Sequence, residues 1–107
     1  MPSELEISPE ETKKLLDSKL KVQLVDVREE FEHAICSIKR AKLIPVGELE
    51  SRLNELDRSV PVIAYCHHGR RSLLAARILS ARGFNAKSMA GGIDDWSVWI
   101  DQKVPRY

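Results

Sequence analysis

Apolar positions along this chain change period several times, and each change marks an expected element boundary. Val22, Leu24, Val25 and Val27 sit in the stretch from Lys21 to Val27 in a pattern that fits a strand, which the polar Asp26-Val27-Arg28-Glu29-Glu30 brings to an end. Ahead of it, Ser8-Pro9-Glu10-Glu11 reads as a helix start, with Ser8 as N-cap, Pro9 in the first helical position and Glu11 completing a capping box; this helix runs to about Asp17. After the first strand comes a loop through Cys36, then a short strand over Lys42 to Pro45. Gly47 to Leu56 brings Leu49, Leu53 and Leu56 onto one face and predicts a helix. The branched run Val60-Pro61-Val62-Ile63-Ala64-Tyr65 has the length of a buried strand, centred on residues 61–65, and Ser72 to about Arg82 returns to helical spacing, with Gly83 as its C′ residue. A short strand around Ala86 to Met89, a Gly91-Gly92 turn and a last helix carrying Trp96 and Trp99 complete the pattern, and both tryptophans are expected to pack on the sheet.

Strand and helix thus alternate, which predicts an α/β fold: a three-layer sandwich with a mainly parallel central sheet and helices on both faces. At 107 residues the chain is expected to form one domain, residues 1–107, and it shows no internal repeat or low-complexity segment. Hydrophobic residues make up 43% and charged residues 31%, with 17 basic against 16 acidic side chains, so bulk charge names no partner and a nucleic-acid-binding face is not expected. The opening Met1-Pro2-Ser3-Glu4-Leu5-Glu6 resembles neither a secretory signal nor a transit peptide, and no apolar run approaches the ~20 residues of a membrane span. With two cysteines and no disulfide pattern, the expected setting is reducing and cytoplasmic, without membrane attachment.

The chemistry concentrates in Tyr65-Cys66-His67-His68-Gly69-Arg70-Arg71-Ser72. In a parallel sheet, ligands bind at the carboxyl ends of strands, and Cys66 stands at such an end, where the chain turns into a helix. N–H groups at a helix start lack intrahelical partners and carry partial positive charge. Arg70 and Arg71 add to that field, so a thiol placed there ionises more readily than a free cysteine. Cys36, between Ile35 and Ser37, has no such surroundings, and a packing role suits it.

Cys66-x-x-Gly69-x-Arg71-Ser72 resembles the active-site loop of rhodanese-type sulfurtransferases, which carry a sulfane sulfur on that cysteine as a persulfide. Three further stretches match the same family in order: Val25-Asp26-Val27-Arg28-Glu29, Ala41-Lys42-Leu43-Ile44-Pro45 and Gly91-Gly92-Ile93-Asp94-Asp95-Trp96. Where many members read His-Ile-x-Gly-Ala, this chain has Ser37-Ile38-Lys39-Arg40-Ala41; glycine there supplies a turn with positive φ, which Arg40 adopts only at a cost. The resemblance implies transfer of a sulfane sulfur from thiosulfate or a persulfide donor to cyanide, a thiol or a protein through a Cys66 persulfide. Thiosulfate is a dianion, so its site must hold negative charge and ionise a thiol with one positive field. Amides from His67 to Ser72 would cradle its sulfonate, Gly69 would let them converge, and Arg71 would bind it bidentately while Arg70 steers from solvent. His67 and His68 would shape the pocket mouth and donate hydrogen bonds, and Asp26 with Arg28 would support the loop as an ion pair. No cofactor is implied, and adjacent histidines without a third ligand in spacing do not suggest a metal.

Cysteine phosphatases and arsenate reductases use a Cys-x5-Arg loop, which would need arginine at 72; Ser72 stands there, and Arg71 comes one residue early. A non-catalytic interaction module of the same family would not need Cys66, Gly69 and Arg71 together. The stretch from Gly91 to Val104-Pro105-Arg106-Tyr107 resembles the close of rhodanese domains fused to adenylyltransferases, which implies a cysteine desulfurase or a sulfur-carrier protein as a partner beside small donors and acceptors.

Overall fold

Five short strands lie parallel in one sheet, in the order β1-β5-β4-β2-β3. They are β1 (Glu6–Ile7), β2 (Gln23–Asp26), β3 (Lys42–Leu43), β4 (Val62–Tyr65) and β5 (Ala86–Met89). Four helices accompany them: α1 (Pro9–Asp17), α2 (Glu30–Ile35), α3 (Arg70–Ala81) and α4 (Gly92–Trp99). This is the computed structural model of the chain, which describes residues 4–107. The expected absence of a leader falls partly on residues 1–3, outside the described residues.

Alternation along the central strand β4 sorts the core into two layers. Val62, Ala64 and Cys66 face a cluster with Ala75, Ala76 and Leu79 of α3 and with Leu49 and Leu56, whereas Ile63 and Tyr65 face Ile93 and Trp96 of α4 and Leu15 and Leu16 of α1. Helices therefore cover both faces, as the strand-helix alternation requires. β2 and β4 pair with Asp26 opposite Tyr65, so the segment after β2 ends beside the loop after β4. No helix among the described residues is long and apolar enough to cross a membrane.

Local signals mark most boundaries. Ser8 caps α1 by accepting the Glu11 N–H (3.0 Å), and Pro9 occupies the first turn, where its missing N–H is not needed. Gly83 closes α3 with φ +89°, and the Phe84 N–H returns to the Leu79 carbonyl.

Three expectations need correction. The segment from Gly47 to Leu56 is not an α-helix but two 3₁₀ turns, Val46–Glu48 and Glu50–Glu55, broken at Arg52 (φ −123°). Its leucines still face inward, but the bonds run from each N–H to the carbonyl three residues back, the geometry of short connectors. The loop expected through Cys36 contains α2, whose start is set by a reciprocal capping box between Glu29 and Glu32. Trp96 is buried, but Trp99 is 70% exposed: the eight-residue helix α4 turns one stripe to the sheet, and its last position lies off that stripe. The two-residue edge strand β1 also had no clear signal in the sequence.

Candidate active site

Cys66 follows β4 directly, and its side chain is 1% exposed. The Gly69 N–H donates to Sγ (3.1 Å), and the Ser72 N–H reaches it at 3.4 Å, so the start of α3 is wrapped around the sulfur. The Ser72 hydroxyl stands 3.4 Å from Sγ and is tied to the Gly69 carbonyl (3.2 Å) and the buried Ser88 hydroxyl (2.7 Å). Gly69 has φ +112°, a left-handed conformation that a side chain would resist, and this lets the loop turn its N–H inward. Arg70, first residue of α3, is exposed and is not among the sulfur's hydrogen-bond partners.

The Gly91-Gly92 pair seats the loop from the other side. The N–H groups of Ile93 and Asp94, at the start of α4, donate to the carbonyls of Cys66 (2.8 Å) and His67 (3.2 Å). A Cβ on Gly92 would lie 2.3 Å from the His67 oxygen and 2.5 Å from the Cys66 oxygen, so the close approach requires glycine.

Asp26 and Arg28 form a bidentate pair with no exposed surface, Nε to Oδ1 at 2.9 Å and Nη2 to Oδ2 at 2.7 Å. Arg28 also donates to the Cys36 carbonyl (2.6 Å) and the Tyr107 hydroxyl (2.8 Å). Burial opposes its charge, but the bonds to Asp26 and Tyr107 outweigh it, and its pKa is raised. Asp26 also accepts the Arg28 N–H (3.0 Å) and the Tyr65 hydroxyl (3.2 Å), and His33 Nδ1 lies 2.7 Å from its Oδ2. Cys36 sits in the opposite core layer from Cys66, and both are free thiols.

Arg71 is placed differently from the sequence expectation. Its guanidinium forks onto the Glu32 carboxylate, at 2.6 and 2.9 Å, instead of standing open toward the loop. Glu32 is buried, accepts the Glu29 N–H (3.1 Å) and takes a bond from the Tyr107 hydroxyl (2.8 Å). The Arg71 bond chiefly, with help from the Glu29 N–H and the Tyr107 hydroxyl, holds its carboxyl down at about 2 despite burial. Burial and, secondarily, the Glu32 carboxylate push the Tyr107 phenol up to about 12 against the pull of Arg28.

The last residues strap this network together. Ser97 donates to the Val104 carbonyl, Arg106 forks onto Asp94 (2.8 and 3.1 Å), and the Tyr107 ring stacks on His67 with centroids 3.9 Å apart. His67 stacks in turn on His68, also at 3.9 Å, and its Nε2 is buried without a hydrogen-bond partner among the described residues. Ligand atoms of His67, His68 and Asp94 all lie within 4.8 Å of one another. The stacked rings direct their in-plane lone pairs along nearly parallel planes, which does not converge on one ion, and Arg106 already occupies Asp94. A groove of about 430 Å³ near Leu16, Arg40 and Trp96 contains none of residues 66–72 and holds no comparable chemistry.

Glu32, Ser88, Asp94 and Tyr107 were not singled out from the sequence. Only Glu32 left a readable local signal, three residues after Glu29; the others meet the loop from β5, α4 and the end of the chain.

Known proteins carry the same frame. The chain is 39% identical over 93 residues to YrkF of Bacillus subtilis (strain 168), whose name includes the words sulfur carrier protein, covering 86% of this chain and 50% of that one. It is 31% identical over 124 residues to the adenylyltransferase and sulfurtransferase MOCS3 of Arabidopsis thaliana, covering 100% of this chain and 27% of that one. The chain therefore spans half or less of these two relatives. A crystal structure of a rhodanese-like domain protein from Staphylococcus aureus superposes with a TM-score of 0.81 at 31% identity, covering 95% of this chain and 97% of the other. The rhodanese-like domain model matches residues 8–98, from the cap of α1 to the last turn of α4, and the chain belongs to that family.

Proposed function

We propose that the protein moves sulfane sulfur through a persulfide on Cys66, taking it from thiosulfate or a persulfide donor and giving it to cyanide, a thiol or an acceptor protein. The observation that carries this reading is the Cys66 sulfur at the carboxyl end of β4, held by the N–H groups of Gly69 and Ser72 at the start of α3. N–H groups aimed at sulfur stabilise negative charge on it and make it the attacking form.

With thiosulfate, the Cys66 thiolate attacks the terminal sulfur, a new S–S bond forms, the old one breaks, and sulfite leaves with the electron pair. The product is the anionic Cys66 persulfide. An acceptor thiolate then attacks the outer sulfur and returns Cys66 as thiolate, so charge and atoms balance in both halves. Relatives named as a sulfur carrier and as a sulfurtransferase support the same chemistry, and a cysteine desulfurase or sulfur-carrier protein fits as donor or acceptor. Phosphate-ester hydrolysis is disfavoured because Arg71 follows Cys66 one residue too soon for a Cys-x5-Arg cradle and its fork is on Glu32.

Intact mass after incubation with excess thiosulfate or glutathione persulfide provides the test. One added sulfur is expected, lost in Cys66→Ser and kept in Cys36→Ser. Sulfur loading that persists in Cys66→Ser would overturn the assignment, and no loading in the unmodified protein would favour a non-catalytic interaction module.

A further inference from the structure

Among the described residues, the arginines fixed around the Cys66 loop, apart from the exposed Arg70, are already bonded to carboxylates. Arg28 is forked onto Asp26, Arg106 onto Asp94, and Arg71 onto Glu32. The Arg71 pair is the one that matters for a substrate, because Arg71 stands next to Ser72, whose N–H touches the sulfur. Glu32 is fastened in that position by three further atoms of the molecule's own making: the Glu29 N–H, the Tyr107 hydroxyl and, through that hydroxyl, Arg28. Its carboxyl stays ionised down to about pH 2.

We infer that Glu32 is a specificity-determining residue that biases the site toward persulfide donors, R–S–SH, and against thiosulfate. This inference rests on the sulfur-transfer reading above. The two donors make different demands. Thiosulfate brings a sulfonate and two negative charges, and it gains most from an open guanidinium fork. Glu32 closes the end of that fork and cancels its charge, and a sulfonate would have to stand near a buried carboxylate as well. A persulfide brings no sulfonate. The Cys66 thiolate attacks its outer sulfur, the S–S bond breaks toward R–S⁻, and the proton stays with the transferred sulfur as Cys66–S–SH; this step needs only the sulfur cradle of Gly69 and Ser72.

The test measures initial rates of Cys66 loading by intact mass, with three donors: thiosulfate, glutathione persulfide and a short peptide carrying one cysteine persulfide. In the unmodified protein the specificity constant for at least one persulfide should exceed that for thiosulfate about tenfold, and whichever persulfide loads faster identifies a low-mass or a protein-borne source. Glu32→Gln frees the Arg71 charge. Its thiosulfate-to-persulfide ratio should rise about tenfold, mainly through a lower KM for thiosulfate, as expected for one regained charge-assisted contact. The neutral double variant Glu32→Gln/Arg71→Gln should fall back to about the original ratio, which separates a charge effect from a change in loop shape.

A ratio unchanged in folded Glu32→Gln, a gain that survives loss of Arg71, or an unmodified protein that prefers thiosulfate would each overturn the inference while leaving sulfur transfer intact. Failure of all three donors to load Cys66 would instead remove the sulfur-transfer reading and this inference with it.

Discussion

Gly92 shows how closely two segments meet at the level of single atoms. Its φ of +63° is one that L side chains resist, and a Cβ there would press on the carbonyl oxygens of Cys66 and His67 at 2.5 and 2.3 Å. Both oxygens belong to backbone that α4 holds by the N–H groups of Ile93 and Asp94, so neither can move without loosening the sulfur loop. Gly92→Ala should cost about 1–3 kcal/mol in urea unfolding and slow sulfur loading on Cys66. Gly47→Ala, where nothing lies within 4 Å of the added Cβ, should leave loading as it is. Equal loading rates in the two variants would show that the contact has no part in shaping the loop. The Gly91-Gly92 pair was visible in the sequence as a turn, but that it touches Cys66 was not, because the two lie 26 residues apart (92 − 66) and meet only through parallel β4 and β5.

Most elements whose signals are local were legible, with α2 the exception: its Glu29–Glu32 capping box is local, yet the six-residue helix behind it was expected as a loop. The Ser8-Pro9 start of α1, the buried run of β4 and the Gly83 end of α3 each rest on neighbouring residues, and each stands where the pattern places it. The turn at Arg40 was legible in a more particular way: a position expected to need positive φ has φ +74°, carried by an arginine. That conformation costs an L residue roughly 1–2 kcal/mol, part of which the Arg40 bond to the Leu16 carbonyl (2.9 Å) offsets. Arg40→Ala keeps the strain and loses the bond, whereas Arg40→Gly loses both. Thermal unfolding should therefore find the glycine variant more stable than the alanine variant by about 1 kcal/mol, and the reverse order would show that this turn is not strained. The 3₁₀ turns over residues 46–55 escaped because Leu49, Leu53 and Leu56 fit an inward-facing stripe in either geometry, and the break at Arg52 left no mark in their spacing.

At the scale of the molecule, the Glu32–Tyr107 contact ties the end of the chain to α2, and it makes stability depend on pH at both extremes. Glu32, at about 2 in the folded protein against 4.5 for a free side chain, contributes stability in full above about pH 4.5, and that contribution of roughly 3 kcal/mol is lost as pH falls toward 2. Tyr107, raised from 10.0 to about 12, contributes below pH 10 and loses its share as pH rises toward 12. Denaturant midpoints followed across pH should fall at both ends, with Glu32→Gln flattening the acid limb and Tyr107→Phe the alkaline one. Limbs identical in the unmodified protein and both variants would mean that other groups govern the titration. Local spacing alone determined the α/β alternation, the parallel sheet with helices on both faces and the position of Cys66 at a strand end, because apolar period, caps and turn residues act over a few neighbours. Tertiary structure alone decided that Arg71 is closed by Glu32, that Ser88 holds Ser72 and that Tyr107 lies on His67. Those partners are 39, 16 and 40 positions apart (71 − 32, 88 − 72 and 107 − 67), and only the packing of layers brings their charges and hydroxyl groups within bonding distance.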